Sequence, residues 1–387
     1  MGLHIHFTED ELADRRRRAC EAMQRDGLDG LLVFRQESMY WLTGYDTFGY
    51  VWFQCLYLGA DGEMFLLTRA PDLRQAQFTS VIPHDRIHVW KDQEGADPVG
   101  DLKALLESEG CRGKKLGVEW ESYGLNARNG FMVRDAMDGF ATLEDASFLV
   151  SRLRLVKSPA ELGYARKAAE LADASWDAAV RLARPGAFEG DILAAMQAAV
   201  FCGGGDDPAN ETIIGSGPGA LMCRYYTGRR TLEAQDQLTL EFAGVYRHYH
   251  AAMMRTIVTG EAEPRHLSMH AAASAALLAC EDALRPGNPV GEVFDAHARV
   301  LDAAGMGDFR LNACGYSQGT TYAPNWMDWP MLYHGNPVIA EPGMTFFIHM
   351  ILFDSGNDLA MTLARTSVVT ETGSEPLSKA SLDLVVN

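Results

Sequence analysis

At 387 residues, with 47% hydrophobic and 22% charged side chains, the chain has the composition of a globular protein and too much length for one ordinary core, so two domains are expected. A formal charge of −18 speaks against a nucleic-acid backbone or an anionic membrane surface as partner. Cys20, Cys55, Cys111, Cys202, Cys223, Cys280 and Cys314 show no paired spacing, the N-terminus is charged where a secretion signal is apolar, and no stretch is long enough to span a membrane, which together fit reduced thiols in a cytoplasm.

Residues 8–27 begin with a threonine and an acidic first turn and stop at Gly27, the pattern of a capped helix. Its run Arg15 to Arg18 is interleaved with acids and reads as a solvated helical face. LDGLLVFR follows as a short apolar strand. Then comes a stretch dense in aromatics, with Tyr40, Trp41, Tyr45, Phe48, Tyr50, Trp52, Phe53 and Tyr57, which suits a core or a subunit interface and, as a second reading, a ligand cage. Asp61-Gly62 signals a hairpin between CLYLGA and EMFLLTR. Strand and helix pieces alternate from there to about Val150, so residues 1–155 are expected to form a small α/β domain.

The second domain, residues 156–387, opens with Ser158 as N-cap, Pro159 at the first helical position and Glu161 closing a capping box. That helix should run to just before Pro185-Gly186, with a second from about Phe188 to Phe201. Gly203 to Gly205 then break the chain; without a lysine or a helix start behind them they are not a phosphate loop.

Residues 239–260, TLEFAGVYRHYHAAMMRTIVTG, read as two strands with a turn near Gly244 to His248. Glu241 is an acid among Leu240, Phe242 and Ala243. Such a group is costly to bury unless it is paired or working. Alternation puts His248 and His250 on one face and Tyr249 on the other. Glu241, His250 and Tyr249 are therefore candidates for chemistry, the alternative being a satisfied structural acid beside core aromatics. Further on, LRPGNPVGEV at 284–293 echoes ARPGAFEGDI at 183–192, each closing one helix and opening another. The echo suggests a domain of two related halves, with any site at their seam.

The KSPAE boundary, the paired RPG units, GSGPGA at 215–220, the hairpin ending MMRTIVTG and EPGMTFFIHM at 341–350 together resemble the creatinase, prolidase and aminopeptidase P superfamily, over essentially the whole chain. The resemblance implies an α+β pita-bread domain preceded by a creatinase-type α/β domain, and a homodimer in which the first domain reaches the partner's site. Peptidases of the superfamily hold two metal ions with two Asp, one His and two Glu. The matching positions here are Glu241, Ala252, Tyr316, His349 and Ala364, which implies no metal and no cofactor. A creatinase places a catalytic His and a Glu where Arg224 and Met254 stand. Among metal-free members the chain is most similar to the ectoine hydrolases, through Trp41 to Asp46, Gln54-Cys55, the hairpin, Cys314-Gly315-Tyr316 and Tyr322 to Trp326; it departs from them at Arg224 and Ala364.

The resemblance implies a metal-independent hydrolase of a C–N bond in a small zwitterionic solute, as in opening a cyclic amidine to an N-acetyl-diaminobutyrate. An Xaa-Pro peptidase, a creatinase-like amidinohydrolase and a silent solute-binding scaffold are the alternatives. Metal-free C–N cleavage requires a nucleophile or base, a proton source and anchors for the substrate's charges. Glu241 can be the first, His250 and His349 can move protons, and Tyr249 and Tyr316 can donate to developing charge. Arg224 or Arg365 can grip a carboxylate, or each can hold two strands as an ion pair. Tyr322, Trp326 and the segment with Phe48, Tyr50 and Trp52 can wall a delocalised cation.

Overall fold

The Thr8 hydroxyl accepts the Glu11 N–H at 3.2 Å, and acids fill the first turn, so α1 (Glu9–Arg25) starts where a capped helix should. The computed structural model describes residues 2–224 and 228–387. The chain divides into two compact units, Met1–Arg154 and Leu155–Asn387.

In the first unit, β1 (Gly30–Val33), β2 (Cys55–Gly59), β3 (Met64–Arg69), β4 (Ile87–Trp90), β5 (Lys115–Val118) and β6 (Thr142–Asp145) form one sheet in the order β4-β3-β2-β1-β5-β6. β2 and β3 are the hairpin that Asp61-Gly62 signals, and β1, β5 and β6 run parallel. The helices α2 (Gln36–Thr43), α3 (Leu73–Thr79), α4 (Pro98–Ser108), α5 (Ala127–Met137) and α6 (Leu149–Arg154) complete the unit. The aromatic stretch splits by environment: Tyr40, Trp41 and Tyr45 are wholly buried, whereas Phe48 is 66% and Trp52 43% exposed.

In the second unit the capping box forms: Ser158 Oγ accepts the Glu161 N–H at 3.3 Å and Glu161 Oε2 accepts the Ser158 N–H at 2.8 Å. It starts α7 (Pro159–Leu182), followed by α8 (Glu189–Cys202), β7 (Ile213–Ser216), β8 (Asp236–Tyr246) and β9 (Tyr249–Thr259). A second pass follows, with the second RPG between its two helices: α9 (Pro264–Ala283), α10 (Gly291–Ala303), β10 (Gly315–Ser317), β11 (Asp328–Met331), β12 (Thr345–Asp354) and β13 (Leu359–Val369). The sheet runs β11-β10-β12-β13-β9-β8-β7, with β14 (Ser374–Pro376) on β13 and β15 (Val385–Val386) on β9. The two passes are equivalent in register, since Glu241 opposes Met254 in the β8–β9 pair as His349 opposes Ala364 in β12–β13. α7 lies against β8 and β9 and α9 against β12 and β13. Apolar clusters fill those layers.

The central hairpin is longer than its sequence suggests. β8 continues to Tyr246, and only Arg247 and His248 make the turn, with φ of 52° and 65°. Gly244 is a strand residue whose bareness serves packing: a Cβ there would collide with the Ala168 carbonyl of α7. No helix among the described residues is long and apolar enough to cross a membrane.

Candidate functional site

Directly opposed residues of an antiparallel pair share a face, so register alone assembles the site. Glu241 opposes Met254, Ala243 opposes Ala252, and Val245 opposes His250. Met254 in turn opposes Ala364, His349 opposes Ala364, and Tyr316 opposes Phe347. These side chains occupy the sheet face turned away from α7 and α9. Ala243, Val245, Ala252, Met254, Tyr316, Trp326, Phe347, Ile351 and Ala364 form one apolar cluster there.

Glu241 is 6% exposed within this cluster. Burial lifts its pKa to about 7, against the opposing pull of the Arg224 charge and a hydrogen bond from Tyr316. The Tyr316 hydroxyl accepts the Trp326 indole N–H at 2.8 Å, so its own proton is directed to the carboxylate. Burial holds that phenol far from ionisation. Arg224 is exposed, and its charge is felt by Glu241, Tyr316 and His349, so it belongs to the site electrostatically.

His349 faces the site beside Tyr316 and Phe347, with ring centroids 5.9 and 5.6 Å away, and its Nδ1 has no partner among the described residues. Burial depresses its pKa to about 3, so the imidazole is neutral. His250 requires a correction as a proton shuttle. Its Nε2 accepts the Ala209 N–H at 2.9 Å, which places the proton on Nδ1, and that nitrogen donates to the His248 carbonyl at 2.9 Å. Burial again brings the pKa to about 3. With both nitrogens engaged, His250 ties the 203–211 loop to the hairpin.

Two more sequence candidates are corrected. Tyr249 lies on the other face, where its hydroxyl donates to Glu161 Oε1 at 2.6 Å and so joins the hairpin to the capping box of α7. Arg365 also faces the helices and makes a two-pronged ion pair with Glu281 of α9, at 2.8 and 2.7 Å. It is an ion pair, as its second sequence reading has it, but it holds sheet to helix and not strand to strand. Tyr322 is buried at the hairpin tip and stacks on His248 with centroids 4.2 Å apart. In the first unit, Tyr50 is buried against the exposed Phe48, and the Arg69 guanidinium sits 4.3 Å from the Trp52 ring. One residue escaped the sequence reading. Gln318, just past β10, is fully buried with its Oε1 bound to Ala252 and Thr366 of this face, and its only sequence signal is being polar within GYSQG.

Residues 163–371 match the metallopeptidase family M24, and residues 15–156 match the creatinase/prolidase N-terminal domain. An uncharacterized hydrolase/peptidase of Sinorhizobium fredii is 28% identical, with 99% of each chain covered. The ectoine hydrolase of Halomonas elongata is also 28% identical, over 99% of this chain and 98% of that one. Among solved structures, a prolidase from Thermococcus sibiricus superposes with TM-score 0.87 at 19% identity, over 98% of this chain and 100% of that one. A dipeptidase from Pyrococcus horikoshii gives 0.84 at 22%, over 96% and 100%.

The family's name implies a metal, and the residues here do not fit one. Ala252 and Ala364 bring methyl groups to the sheet positions beside Glu241, the Tyr316 oxygen already accepts from Trp326, and the His250 Nε2 is taken by Ala209. Among the described residues no three His, Cys, Asp or Glu side chains come together as ligands.

Proposed function

Because the chain belongs to metallopeptidase family M24 and carries that family's creatinase-type first domain, we propose that it is a metal-independent hydrolase of a C–N bond in a small zwitterionic solute, with ectoine or a near relative as substrate. The observation that carries this reading is Glu241: a carboxyl in an apolar setting, titrating near neutrality, with, among the described residues, the Tyr316 hydroxyl aimed at it. The likeness to the Halomonas elongata enzyme over nearly the full length supports the choice of solute.

A carboxyl poised near pH 7 can serve both halves of a hydrolysis. As a base, ionised Glu241 takes a proton from water while the water oxygen bonds to the amidine carbon. The resulting acid then returns that proton to the departing nitrogen as the C–N bond breaks. As a nucleophile, the carboxylate oxygen bonds to the amidine carbon, the C–N bond breaks as the departing nitrogen takes a proton from water, and the hydroxide so formed attacks the Glu241 carboxyl carbon and releases the amide product. In either route Tyr316 fixes the carboxylate through its hydrogen bond. Arg224 supplies positive charge for the substrate carboxylate.

Incubating the protein with ectoine, hydroxyectoine, creatine and Xaa-Pro dipeptides, before and after chelation, tests the reading. Ring opening that survives chelation is expected. Cleavage only of Xaa-Pro bonds and only with added manganese would replace it with a peptidase, as the Xaa-Pro dipeptidase relatives at 21–22% identity suggest. Tight binding of one solute without turnover would replace it with a binding scaffold.

The reading extends to a homodimer whose sites are completed by the aromatic segment of a second copy. The exposure of Phe48, Val51 and Trp52 beside the buried Tyr50 and Phe53 supports it. Light scattering should give twice the 42.5 kDa chain mass; a fully active monomer would exclude the shared site.

A further inference from the structure

The carboxamide of Gln318 is anchored at one end and open at the other. Its backbone N–H donates to the Thr345 carbonyl at 2.9 Å, and its own carbonyl accepts the Thr345 hydroxyl at 2.6 Å. Oε1 takes the Ala252 N–H at 3.0 Å and the Thr366 hydroxyl at 2.7 Å. The Ala252 amide can only donate, so the atom facing it must be the acceptor, and the amide orientation is fixed. Nε2 therefore points away with two N–H bonds, is shielded from solvent, and has no partner among the described residues. Buried donors in native proteins are nearly always satisfied, so a fixed, dry, unpaired one calls for a missing acceptor.

Its position names that acceptor. Thr366 and Ala364 fall on the same face, and Ala252 opposes Ala243 there, so the amide, bound to Thr366 and Ala252, lies on the Glu241 side of the sheet. Ala252 is two residues along β9 from Met254, the partner of Glu241. Strand rise and spacing then put the carboxyl and the amide about 9 Å apart at backbone level. That span suits an amino-acid-sized zwitterion whose cationic end meets Glu241 and whose anionic end meets a neutral donor.

We propose that Gln318 Nε2 binds the substrate's carboxylate oxygen and sets the direction in which the solute lies across the site. The assignment rests on the hydrolase reading above. It makes Gln318, with Arg224, the discriminator between a carboxylate and an uncharged group.

The test pairs kinetics with a direct view of the amide. Gln318→Glu keeps an acceptor for Ala252 and Thr366 and replaces the donor with a negative oxygen. Its KM for ectoine should rise at least 100-fold, while the carboxamide analogue of ectoine is turned over as well as or better than by wild type. In wild-type protein with ¹⁵N-labelled glutamine side chains, ectoine should shift the Gln318 NH₂ resonances, which Gln318→Met assigns by their loss. Turnover of ectoine with those resonances unmoved, or with KM unchanged in a folded Gln318→Glu protein, overturns the proposal and leaves the hydrolase reading intact. A shift on adding ectoine without any turnover supports the binding role and overturns the hydrolase reading. Neither shift nor turnover overturns both.

Discussion

The Trp326 indole N–H donates to the Tyr316 hydroxyl over 2.8 Å, and that hydroxyl in turn donates to Glu241. A hydroxyl has one proton, so filling its acceptor side with the indole decides where the proton goes.

Trp326→Phe keeps an aromatic ring and removes the N–H. The Tyr316 hydroxyl then loses its polariser, its bond to the carboxylate weakens, and Glu241 becomes a weaker acid than its pKa of about 7 indicates. The rising limb of the kcat/KM–pH profile should move upward by about half a unit to one unit, with kcat lower by roughly 10-fold, a typical loss for a positioning group. A profile unmoved from wild type would remove the indole from the site's electrostatics.

Glu241→Gln should lower turnover by about 10²-fold or more. It should also stabilise the protein at alkaline pH. An unfolded glutamate ionises near 4.5, whereas the folded one holds its proton to about 7, so folding becomes less favourable as pH rises between those values. The amide is free of that penalty, which amounts to about 3 kcal/mol above pH 7. Melting temperatures of the two proteins should diverge from pH 5 to pH 8, with the variant higher. In ¹⁸O-water, a single wild-type turnover labels the product directly if Glu241 is a base and labels the carboxylate if it is a nucleophile.

Acid should act in the opposite direction through three imidazoles. His250 and His349 have pKa values near 3 and His297 near 4, all depressed by burial, against 6.5 in an unfolded chain. Their contribution is complete above 6.5 and is lost as pH falls toward those folded values; at pH 5 each has lost about 2 kcal/mol. His349→Gln should flatten the fall of unfolding free energy between pH 6.5 and 4.5, measured in urea at several pH values.

The two arginines should separate by assay. Arg365→Gln strands the buried Glu281 carboxylate and should cost about 3 kcal/mol or more in stability, while folded molecules keep the wild-type KM. Arg224→Gln should leave the melting temperature nearly unchanged, raise KM, and move the Glu241 titration upward because an opposing positive charge is gone.

The sequence was legible where structure is local. Thr8, Ser158 with Glu161, Asp61-Gly62 and the repeated RPG each act on backbone within a few residues, and each forms as expected. Glu241 also stood out, because an acid is conspicuous in an apolar strand. Long-range partners were not legible: nothing near Tyr249 points to Glu161, 88 residues earlier, and nothing near Arg365 points to Glu281, 84 residues earlier. The hairpin turn was misplaced because Arg247 and His248 hold the left-handed conformations that Asn-Gly would advertise. Gln318 carried no signal beyond its polarity, since the meaning of an amide lies in which of its ends is occupied.

The equivalence of Glu241 and His349, each opposed across its own hairpin by a residue that itself precedes an Arg-Thr pair, has a consequence for what the fold can distinguish. A duplicated framework offers the same seat twice, and a site with like occupants in both would accept a guest in either direction. Here one seat holds an acid and the other a neutral ring, so a molecule lying across the seam meets different chemistry at its head and its tail. The symmetry of the scaffold thereby becomes a ruler with marked ends, able to tell a compound from the same compound turned around.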